Sequence, residues 1–328
     1  MKIAVIMNAG TRNMVFNEKC LNRLAQSGEV VINDGGTDFD SVKPLIESAD
    51  AIVTSWGNSP IDEKALELCP NLKILLHAAG SVKPVVSDAL WEKGVRVTSC
   101  AGVLSMGVSE TALGFTIAAS KNFFNLNDSL HAGNWAEGKE NIRELYDLTV
   151  GVIGAGWAGR HYIELMQAFD VDILLYDPFV SEEKAESMGV KKASLEDVLR
   201  NSDIISIHAP EIPSTRHMFN AETLAMMKKD AVLINTARGS IIDEKALYEH
   251  MKAGNLKYAC LDVFDPEPPA ADNPLRTLKN CIMTPHLAGL ANNGLKKIGQ
   301  HVCEELESFI KDGTLRTEVT QAMLATMA

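Results

Sequence analysis

The chain has 328 residues, 46% of them hydrophobic and 23% charged, which predicts a globular protein large enough for two domains. Its formal net charge of −12 argues against nucleic acid or an anionic membrane as a partner, no apolar run is long enough to span a bilayer, and the first residues reach Asn8 too soon to form a signal peptide. Its six cysteines lack the spacing of metal ligands, so we expect reduced thiols in a cytoplasmic protein without a bound metal.

The first hundred residues alternate short apolar runs with amphipathic stretches. The runs predict strands over residues 3–7, 30–33, 51–54, 73–77 and 95–98, with helices over 17–26, 41–47, 62–68 and 83–93. This alternation predicts a parallel sheet whose ligands lie beyond the carboxyl ends of the strands. Two loops at such ends, 55–58 and 78–83, are candidate contacts. The second is rich in small residues, so its N–H groups could approach a carboxylate, although the spacing alone favours an ordinary strand-to-helix connection.

Residues 105–144 connect this region to the next. Residues 105–120 are nearly all small or apolar, with Glu110 the only charge, which predicts a buried linking helix. Residues 125–144 are polar and surround Trp135 with glycines and Asn134. We interpret them as a surface arm, either at a subunit contact or with Trp135 covering a local core.

Residues 148–177 contain every part of a dinucleotide-binding unit in order. An apolar run over 148–153 precedes the hexapeptide Gly154-Ala155-Gly156-Trp157-Ala158-Gly159, a helix over 160–169 follows, and a second strand over 171–176 ends on Asp177. In such a unit the glycines permit a tight turn, close approach of a pyrophosphate and close helix packing. The helix start binds the phosphates and the acid binds the ribose hydroxyls. The alternative is a glycine-rich turn without a ligand.

The same alternation resumes after Asp177. Helices are predicted over 181–188, 194–200, 221–228 and 243–252, the last with Asp243 as its N-cap. Strands are predicted over 204–208, 231–235, 258–263 and 281–284. A final helix over 291–310 is long enough to return to the first region.

Three side chains that follow predicted strands can carry chemistry: Arg238, Glu267 and His286. Each alone has an ordinary explanation as a surface ion pair, a loop charge or a hydrogen-bonded histidine. Beside a nicotinamide site they supply what reduction of a 2-oxo acid requires. Arginine binds a carboxylate as a fork, histidine delivers a proton near neutral pH, and a neighbouring carboxylate fixes its tautomer and favours its protonated form.

These motifs together resemble the D-isomer-specific 2-hydroxyacid dehydrogenase family. The resemblance rests on 154–159 with Asp177, on 203–210, on 235–239, on 261–264 with Glu267, and on 284–286, and it runs from about residue 72 to 289. It implies an α/β fold of two doubly wound parallel-sheet domains separated by a cleft. A Rossmann-type NAD-binding domain, residues 102–289, is inserted in a flavodoxin-like substrate domain formed by 1–101 and 290–328.

The resemblance also assigns site residues. It implies Arg238 as substrate anchor, His286 as acid/base, Glu267 as its partner, and no metal. The implied cofactor contacts are Gly154, Gly156, Trp157, Ala158, Gly159, Asp177, His208, Ala209, Pro210, Thr215, Thr236, Ala237, Arg238, Asp262, His286 and Ala288. Of these, Asp262 and the backbone at Thr236 and Ala237 are expected near the nicotinamide carboxamide. The implied substrate contacts are Ala79, Gly80, Ser81, Arg238 and His286, with the N–H groups of Ala79 and Gly80 on the carboxylate.

The sequence departs from the family pattern in three places, so its substrate cannot be copied from a known member. The loop after Gly80 lacks the usual acidic and Asn residues, Glu211 stands where an apolar residue is usual, and Leu287 and Ala288 follow His286 in place of glycine. Lys83 could contact an extra anionic group or simply start a solvated helix. His77, at a strand end, is a further candidate for substrate contact.

The predicted function is an NAD-dependent oxidoreductase that interconverts a 2-oxo acid and its D-2-hydroxy acid, working as a homodimer joined through the NAD-binding domains. NAD is expected rather than NADP because the carboxylate of Asp177 would repel a 2′-phosphate. Two alternatives stay open. One is an NADPH-preferring glyoxylate or hydroxypyruvate reductase, and the other is a dinucleotide-sensing interaction protein like the corepressors that share these motifs.

Overall fold

The computed structural model describes residues 1–135, 137–290 and 292–327, and its chain divides into two units. The first unit consists of Met1–Leu104 and the segment that begins at Leu290, and the second unit is Ser105–Gly289. The strands are β1 (Lys2–Val5), β2 (Glu29–Ile32), β3 (Ala51–Thr54), β4 (Ile74–His77), β5 (Arg96–Ser99), β6 (Thr149–Ile153), β7 (Asp172–Tyr176), β8 (Lys191–Lys192), β9 (Ile204–Ile207), β10 (Val232–Asn235), β11 (Tyr258–Leu261), β12 (Cys281–Met283) and β13 (Glu318–Val319).

The helices alternate with these strands. They are α1 (Ala9–Val15), α2 (Glu18–Ser27), α3 (Phe39–Ile46), α4 (Glu63–Leu68), α5 (Asp88–Glu92), α6 (Ala101–Ser120), α7 (Phe123–His131), α8 (Trp157–Met166), α9 (Glu182–Ser187), α10 (Leu195–Asn201), α11 (Ala221–Leu224), α12 (Glu244–Lys252) and α13 (Asn292–Asp312). Many begin after an Asn, Asp or Ser whose side chain accepts a hydrogen bond from the first turn, as Asp243 does for α12. The predicted cap of this helix is thus confirmed.

The first unit is built on a six-stranded sheet in the order β2-β1-β3-β4-β5-β13. Its strands are parallel except β13, which runs antiparallel to β5. The order 2-1-3-4-5 is that of flavodoxin-like sheets. β3 and β4 are buried along their whole length, because helices cover both faces of a doubly wound sheet.

The second unit is built on a seven-stranded parallel sheet in the order β8-β7-β6-β9-β10-β11-β12. This is the Rossmann-type order, in which the strand sequence reverses direction between β6 and β9. The two orders confirm the predicted fold class, with a Rossmann-type unit inserted in the chain of a flavodoxin-like one. In such sheets the ligand lies outside the carboxyl ends of the strands at the reversal point.

Several elements differ from the sequence prediction. The helix predicted over 83–93 forms only over α5, because Ser87 caps a new start by accepting from the N–H of Leu90, and Val82 to Val86 form a turn. The arm predicted over 125–144 instead begins within α7. The short elements α1, β8 and β13 were not predicted, since they are too short to show a period. The predicted final helix began at Ala291, which lies outside the described residues.

The linking helix was predicted to be buried, but α6 buries only one face. That face packs on α8, where the hydroxyls of Thr116 and Tyr162 lie 2.6 Å apart and Ser109 donates to the carbonyl of Ala158 at 2.8 Å. Contrary to the sequence prediction, α6 is long and apolar enough to cross a membrane by length and composition, alone among the described helices. Its contacts with α8 account for it as a packed helix, most of which belongs to the second unit.

Candidate active site

The glycine-rich loop lies at the carboxyl end of β6, and each glycine meets a different requirement. Gly154 has φ +91°, and a Cβ there would lie 2.9 Å from the backbone of Ala209. A Cβ on Gly159 would lie 2.0 Å from the carbonyl oxygen of Gly154, so only glycine lets α8 approach the loop. A Cβ on Gly156 would have no other atom within 4 Å beyond its neighbours in the chain, and Gly156 directly precedes Trp157, the first residue of α8. The loop therefore has the shape that admits a pyrophosphate at the helix start.

Asp177 follows β7 beside this loop. Its Oδ2 accepts a hydrogen bond from the N–H of Ala155 at 2.8 Å, and its Oδ1 accepts one from the N–H of Phe179 at 2.8 Å. A carboxylate has about four acceptor positions, so each oxygen can accept a further hydrogen bond. The two backbone contacts fix the acid next to the glycine-rich loop, where the sequence predicted a ribose contact.

His208 lies under the glycine-rich loop at the carboxyl end of β9. Its Nε2 is 2.9 Å from the hydroxyl of Ser206, and its ring packs on Tyr162 with centroids 5.0 Å apart. Burial lowers the pKa of His208 to about 3, so the ring is neutral. Its Nδ1 is buried without a hydrogen-bond partner among the described residues, as is the hydroxyl of Thr236 after β10. Unpaired polar atoms at two neighbouring strand ends suit a polar ligand.

The segment after His208 forms a closed turn. The hydroxyl of Thr215 donates to the carbonyl of Pro210 at 2.7 Å and accepts from the N–H of Ile212 at 3.0 Å. Thr215 thus holds Pro210, and Ala209 packs against Gly154. The turn that contains these predicted cofactor residues therefore lies next to the glycine-rich loop. Among the described residues, no group of three or more His, Cys, Asp or Glu could hold a metal ion.

The three candidate catalytic residues follow the ends of three adjacent parallel strands. Asn235 of β10 pairs with Leu261 of β11, which pairs with Met283 of β12. Arg238 and His286 each lie three residues beyond the end of their strand, and Glu267 lies six beyond its own. Parallel strands in register bring such segments to one edge of the sheet.

Arg238 is positioned by its neighbours in the chain. The side chain of Asn235 accepts from the N–H of Ala237 at 3.0 Å and donates to the carbonyl of Arg238 at 2.9 Å. The guanidinium donates to the carbonyl of Ala237 at 2.6 Å. A Cβ on Gly239 would lie 2.0 Å from the backbone of Phe264, so glycine is needed for the two loops to touch. Asn235 was part of the 235–239 motif, but its role in holding Arg238 was not predicted, although an Asn at a strand end before a turn is a recognisable signal.

Glu267 and His286 form a direct pair. Oε2 of Glu267 lies 2.7 Å from Nδ1 of His286, and Oε1 accepts from the N–H of Phe264 at 3.0 Å. Both side chains are accessible, at 36% and 50% exposure respectively. A carboxylate on Nδ1 assigns the proton there and leaves Nε2 directed to a reacting group. The geometry is that of an oriented acid/base.

Asp262 holds the segment that carries His286. Its carboxylate is fully buried and accepts from the hydroxyl of Thr284 at 2.5 Å and from the N–H groups of Leu287 and Ala288 at 3.0 and 2.8 Å. Its carbonyl accepts from the N–H of His286 at 2.8 Å. These contacts bracket His286, whose φ of +49° is unusual for a residue with a side chain. This role of Asp262 was not predicted from the sequence, because its partners lie more than twenty positions away.

In the first unit, the small-residue loop follows β4. The hydroxyl of Ser55 donates to the carbonyl of Ala78 at 2.8 Å, and the N–H of Cys100 donates to the carbonyl of Ala79 at 2.9 Å. The N–H groups of Ala79, Gly80 and Ser81 find no acceptor in the part of the chain that the structure describes. The loop therefore presents free donors, which a carboxylate site would need.

Two other candidates, one at the end of β4 and one in this loop, already contact other residues. His77 is buried, its Nδ1 lies 2.9 Å from the hydroxyl of Thr54, and burial lowers its pKa to about 4. It supports the loop from below, where it also interacts with the backbone of Ser81. Lys83 donates to the carbonyl of Met327 at 2.6 Å, so it does not simply start a solvated helix.

The known proteins that this chain resembles point to one family. The family model described as "D-isomer specific 2-hydroxyacid dehydrogenase, NAD binding domain" matches residues 113–288, more than half of the chain. The chain is 36% identical to a D-3-phosphoglycerate dehydrogenase of Methanocaldococcus jannaschii, over 90% of this chain and 56% of that protein. It is 30% identical to a hydroxypyruvate reductase of Thermotoga maritima, over 90% of this chain and 95% of that protein. The chain spans little more than half the length of the phosphoglycerate dehydrogenases it matches.

Solved structures show the same fold. The TT0316 protein from Thermus thermophilus superposes with a TM-score of 0.78 at 26% identity, covering 98% of this chain and 100% of that one. A D-2-hydroxyisocaproate dehydrogenase superposes with a TM-score of 0.81 at 23% identity, covering 98% and 100%. The second likeness extends to the fold alone.

Proposed function

The chain belongs to the D-isomer-specific 2-hydroxyacid dehydrogenase family, and from that premise we propose that it is an NAD-dependent oxidoreductase that interconverts a 2-oxo acid and its D-2-hydroxy acid. The observation that carries the proposal is the 2.7 Å contact between Glu267 and Nδ1 of His286, on the sheet edge that also bears the glycine-rich loop. An oriented imidazole beside a dinucleotide site is what reversible hydride transfer to a carbonyl needs.

The residues present fit a dinucleotide. Gly156 leaves open space before the start of α8, Asp177 is fixed next to the loop, and the buried Nδ1 of His208 and hydroxyl of Thr236 await partners. We propose that the backbone at Trp157 and Ala158 binds the pyrophosphate, that Asp177 binds the ribose, and that Thr236 and Ala237 line the nicotinamide end. When bound, the dinucleotide supplies or receives the hydride.

The chain's own residues then handle charge and protons. Arg238 binds the substrate carboxylate and polarises the carbonyl oxygen, since its guanidinium is a planar fork of donors. Protonated His286 donates its proton from Nε2 to that oxygen in reduction and accepts it in oxidation. Glu267 holds the Nδ1–H and stabilises the imidazolium, and Asp262 keeps the segment in place. In the first unit, we propose that the free N–H groups of Ala79, Gly80 and Ser81 bind an anionic group of the substrate.

A panel of 2-oxo acids tests the reaction. Loss of NADH absorbance should be followed with glyoxylate, hydroxypyruvate, its phosphorylated form, and larger aliphatic and aromatic 2-oxo acids. These names follow the relatives, which include a glyoxylate reductase of Korarchaeum cryptofilum at 31% identity. Turnover of at least one acid, with a D-configured product, is expected. Absence of turnover with all of them, while NADH still binds, would favour a dinucleotide-sensing protein.

An NADPH-preferring glyoxylate or hydroxypyruvate reductase is the second candidate, because relatives with those names match most of the chain. One structural neighbour, an acyclic imino acid reductase, is described in complex with NADPH. Running the same panel with NADPH separates the two readings.

We also propose a cytoplasmic homodimer joined through the second unit. Phe123, Leu130 and Trp135 are 55%, 56% and 77% exposed, and they lie within thirteen residues of chain. Large apolar side chains gathered on one surface segment mark an interaction site. All six cysteines are free and buried, which suits a reducing compartment.

A further inference from the structure

The loop that bears Glu267 needs support from elsewhere in the fold. It runs from Phe264 to Asn273, after β11, and Asp265, Pro266, Glu267 and Pro268 are all exposed. Glu267 itself makes one hydrogen bond within the loop, accepting from the N–H of Phe264. An exposed loop of this length samples many conformations unless outside contacts restrict it. The 2.7 Å contact with His286 therefore depends on whatever holds the loop.

One carboxylate holds both ends of this loop. Oε1 of Glu244 accepts from the N–H of Asp265 at 3.0 Å, and Oε2 accepts from the side-chain amide of Asn273 at 2.7 Å. Asn273 uses its own oxygen to accept from the N–H of Leu275, so its amide group is oriented toward Glu244. Glu244 thus closes a nine-residue segment with Glu267 inside it.

Glu244 is not required as the helix cap. It is the first residue of α12, and its neighbour Asp243 already accepts from the N–H groups of Lys245 and Ala246. The carboxylate of Glu244 is directed to the loop instead. Glu244 therefore lies beside the segment that follows β11.

We propose that Glu244 is a positioning residue for the Glu267–His286 pair, and this rests on the proposed function. It acts through Glu267 and touches neither of the reacting groups. Two hydrogen bonds to a charged acceptor hold the loop more strongly than neutral ones do. A displacement of about 1 Å at a catalytic group can cost about a hundredfold in rate. Loosening the loop should consequently lower kcat and leave dinucleotide binding unchanged.

The test is a double-mutant cycle on the full chain with the best 2-oxo acid. Glu244→Gln keeps the shape but presents a donor to one of its two partners, so kcat should fall about tenfold, and Glu244→Ala should lower it further. The Kd for NADH, measured by fluorescence titration, should not change. In a Glu267→Gln background, Glu244→Gln should cause no further loss. Glu249→Gln, on the exposed side of α12, removes the same charge and serves as the control.

The outcomes are distinguishable. An equal fold-loss from Glu244→Gln in both backgrounds would show a general structural role and overturn the inference. A loss in Glu267→Gln with none in Glu244→Gln would overturn the inference and leave the proposed function standing. An unchanged kcat in Glu267→Gln would overturn the acid/base pair and this inference with it. Should Glu244→Ala fail to fold, the Glu244→Gln cycle still decides.

Discussion

At the scale of single residues, the proposed chemistry depends on His286. Its backbone is bracketed by Asp262 and its Nδ1 by Glu267, so its side chain can be removed while the dinucleotide loop stays intact. We expect His286→Ala to lose about 10²–10⁴-fold in kcat, the usual effect of losing a general acid/base. NADH titration should give an unchanged Kd. His131→Ala, an exposed residue of α7, is the control, and wild-type turnover in His286→Ala would refute the assignment.

We propose that Asp177 sets the preference for one dinucleotide over the other. Its oxygens are held by the N–H groups of Ala155 and Phe179, so it cannot easily turn away from a 2′-phosphate. Residues 178–180 carry no positive charge that could receive one. NADH should bind at least about tenfold more tightly than NADPH, which needs only about 1.4 kcal/mol.

Fluorescence titration with both dinucleotides measures this preference directly, and kcat/KM with each should follow it. Asp177→Ser should narrow the gap mainly by weakening NADH. Asp172→Ser, at the opposite end of β7, changes the same charge and should leave both affinities alone. Equal binding of the two dinucleotides by the wild type would contradict the role given to Asp177.

The site residues that belong to short motifs could be predicted from the sequence, and those that depend on distant contacts could not. The glycines, Asp177 and the three catalytic candidates were identified because each belongs to a short motif with a mechanical reason. The contacts of Glu244 with Asp265 and Asn273, and of Asp262 with Thr284, join residues more than twenty positions apart. They depend on which strands become neighbours, and a linear motif carries no information about that.

At the scale of elements, β4 ends on a buried neutral histidine that gives the first unit a pH-dependent stability. Burial lowers the pKa of His77 to about 4, whereas an exposed imidazole has about 6.5. Below about pH 6.5 the unfolded chain binds a proton at this residue and the folded chain does not. The free energy of unfolding should therefore decrease as pH falls toward 4, by roughly 3 kcal/mol from this residue.

Urea unfolding at pH 7 and pH 5 measures the effect. His77→Gln removes the titrating group and keeps a polar side chain next to Thr54. Between pH 7 and pH 5, the free energy of unfolding of this variant should decrease by about 2 kcal/mol less than that of the wild type. His131→Gln, on the exposed surface of α7, should behave as the wild type. A variant with the full wild-type decrease would mean that other groups account for the acid sensitivity.

Elements were predictable where they were long or bounded by strong caps. The strands β3 and β9 to β11 form continuous buried runs, and Asp243 marks the start of α12. Short elements were not predictable, because two-residue β8 and β13 exist only through pairing with a neighbour. The length of α5 depended on Ser87 capping in competition with the preceding turn.

At the scale of the whole molecule, the parallel sheets could be predicted from the alternation of strands and helices, since parallel strands need crossover connections. The two sheet types were implied by the family resemblance. The exposure of one face of α6 did not follow, because a run of small and apolar residues looks the same whether it is buried in the same chain or against another. That ambiguity bears on the quaternary structure.

Exposed apolar side chains on and after α7 predict self-association of the chain. Phe123, Leu130 and Trp135 lie on α7 and just after it, and each is more than half exposed. Burying a large apolar side chain is worth roughly 2 kcal/mol, and each substitution occurs in both protomers, so replacing two of them should weaken a dimer by at least about a thousandfold. The wild type should sediment at micromolar concentration with twice the mass of the chain, and the Phe123→Glu, Leu130→Glu double variant should sediment as a monomer. Ile310→Glu, which charges an exposed apolar position of α13 in the first unit, should remain dimeric. A monomeric wild type, or a double variant that still dimerises, would place any self-association on another surface.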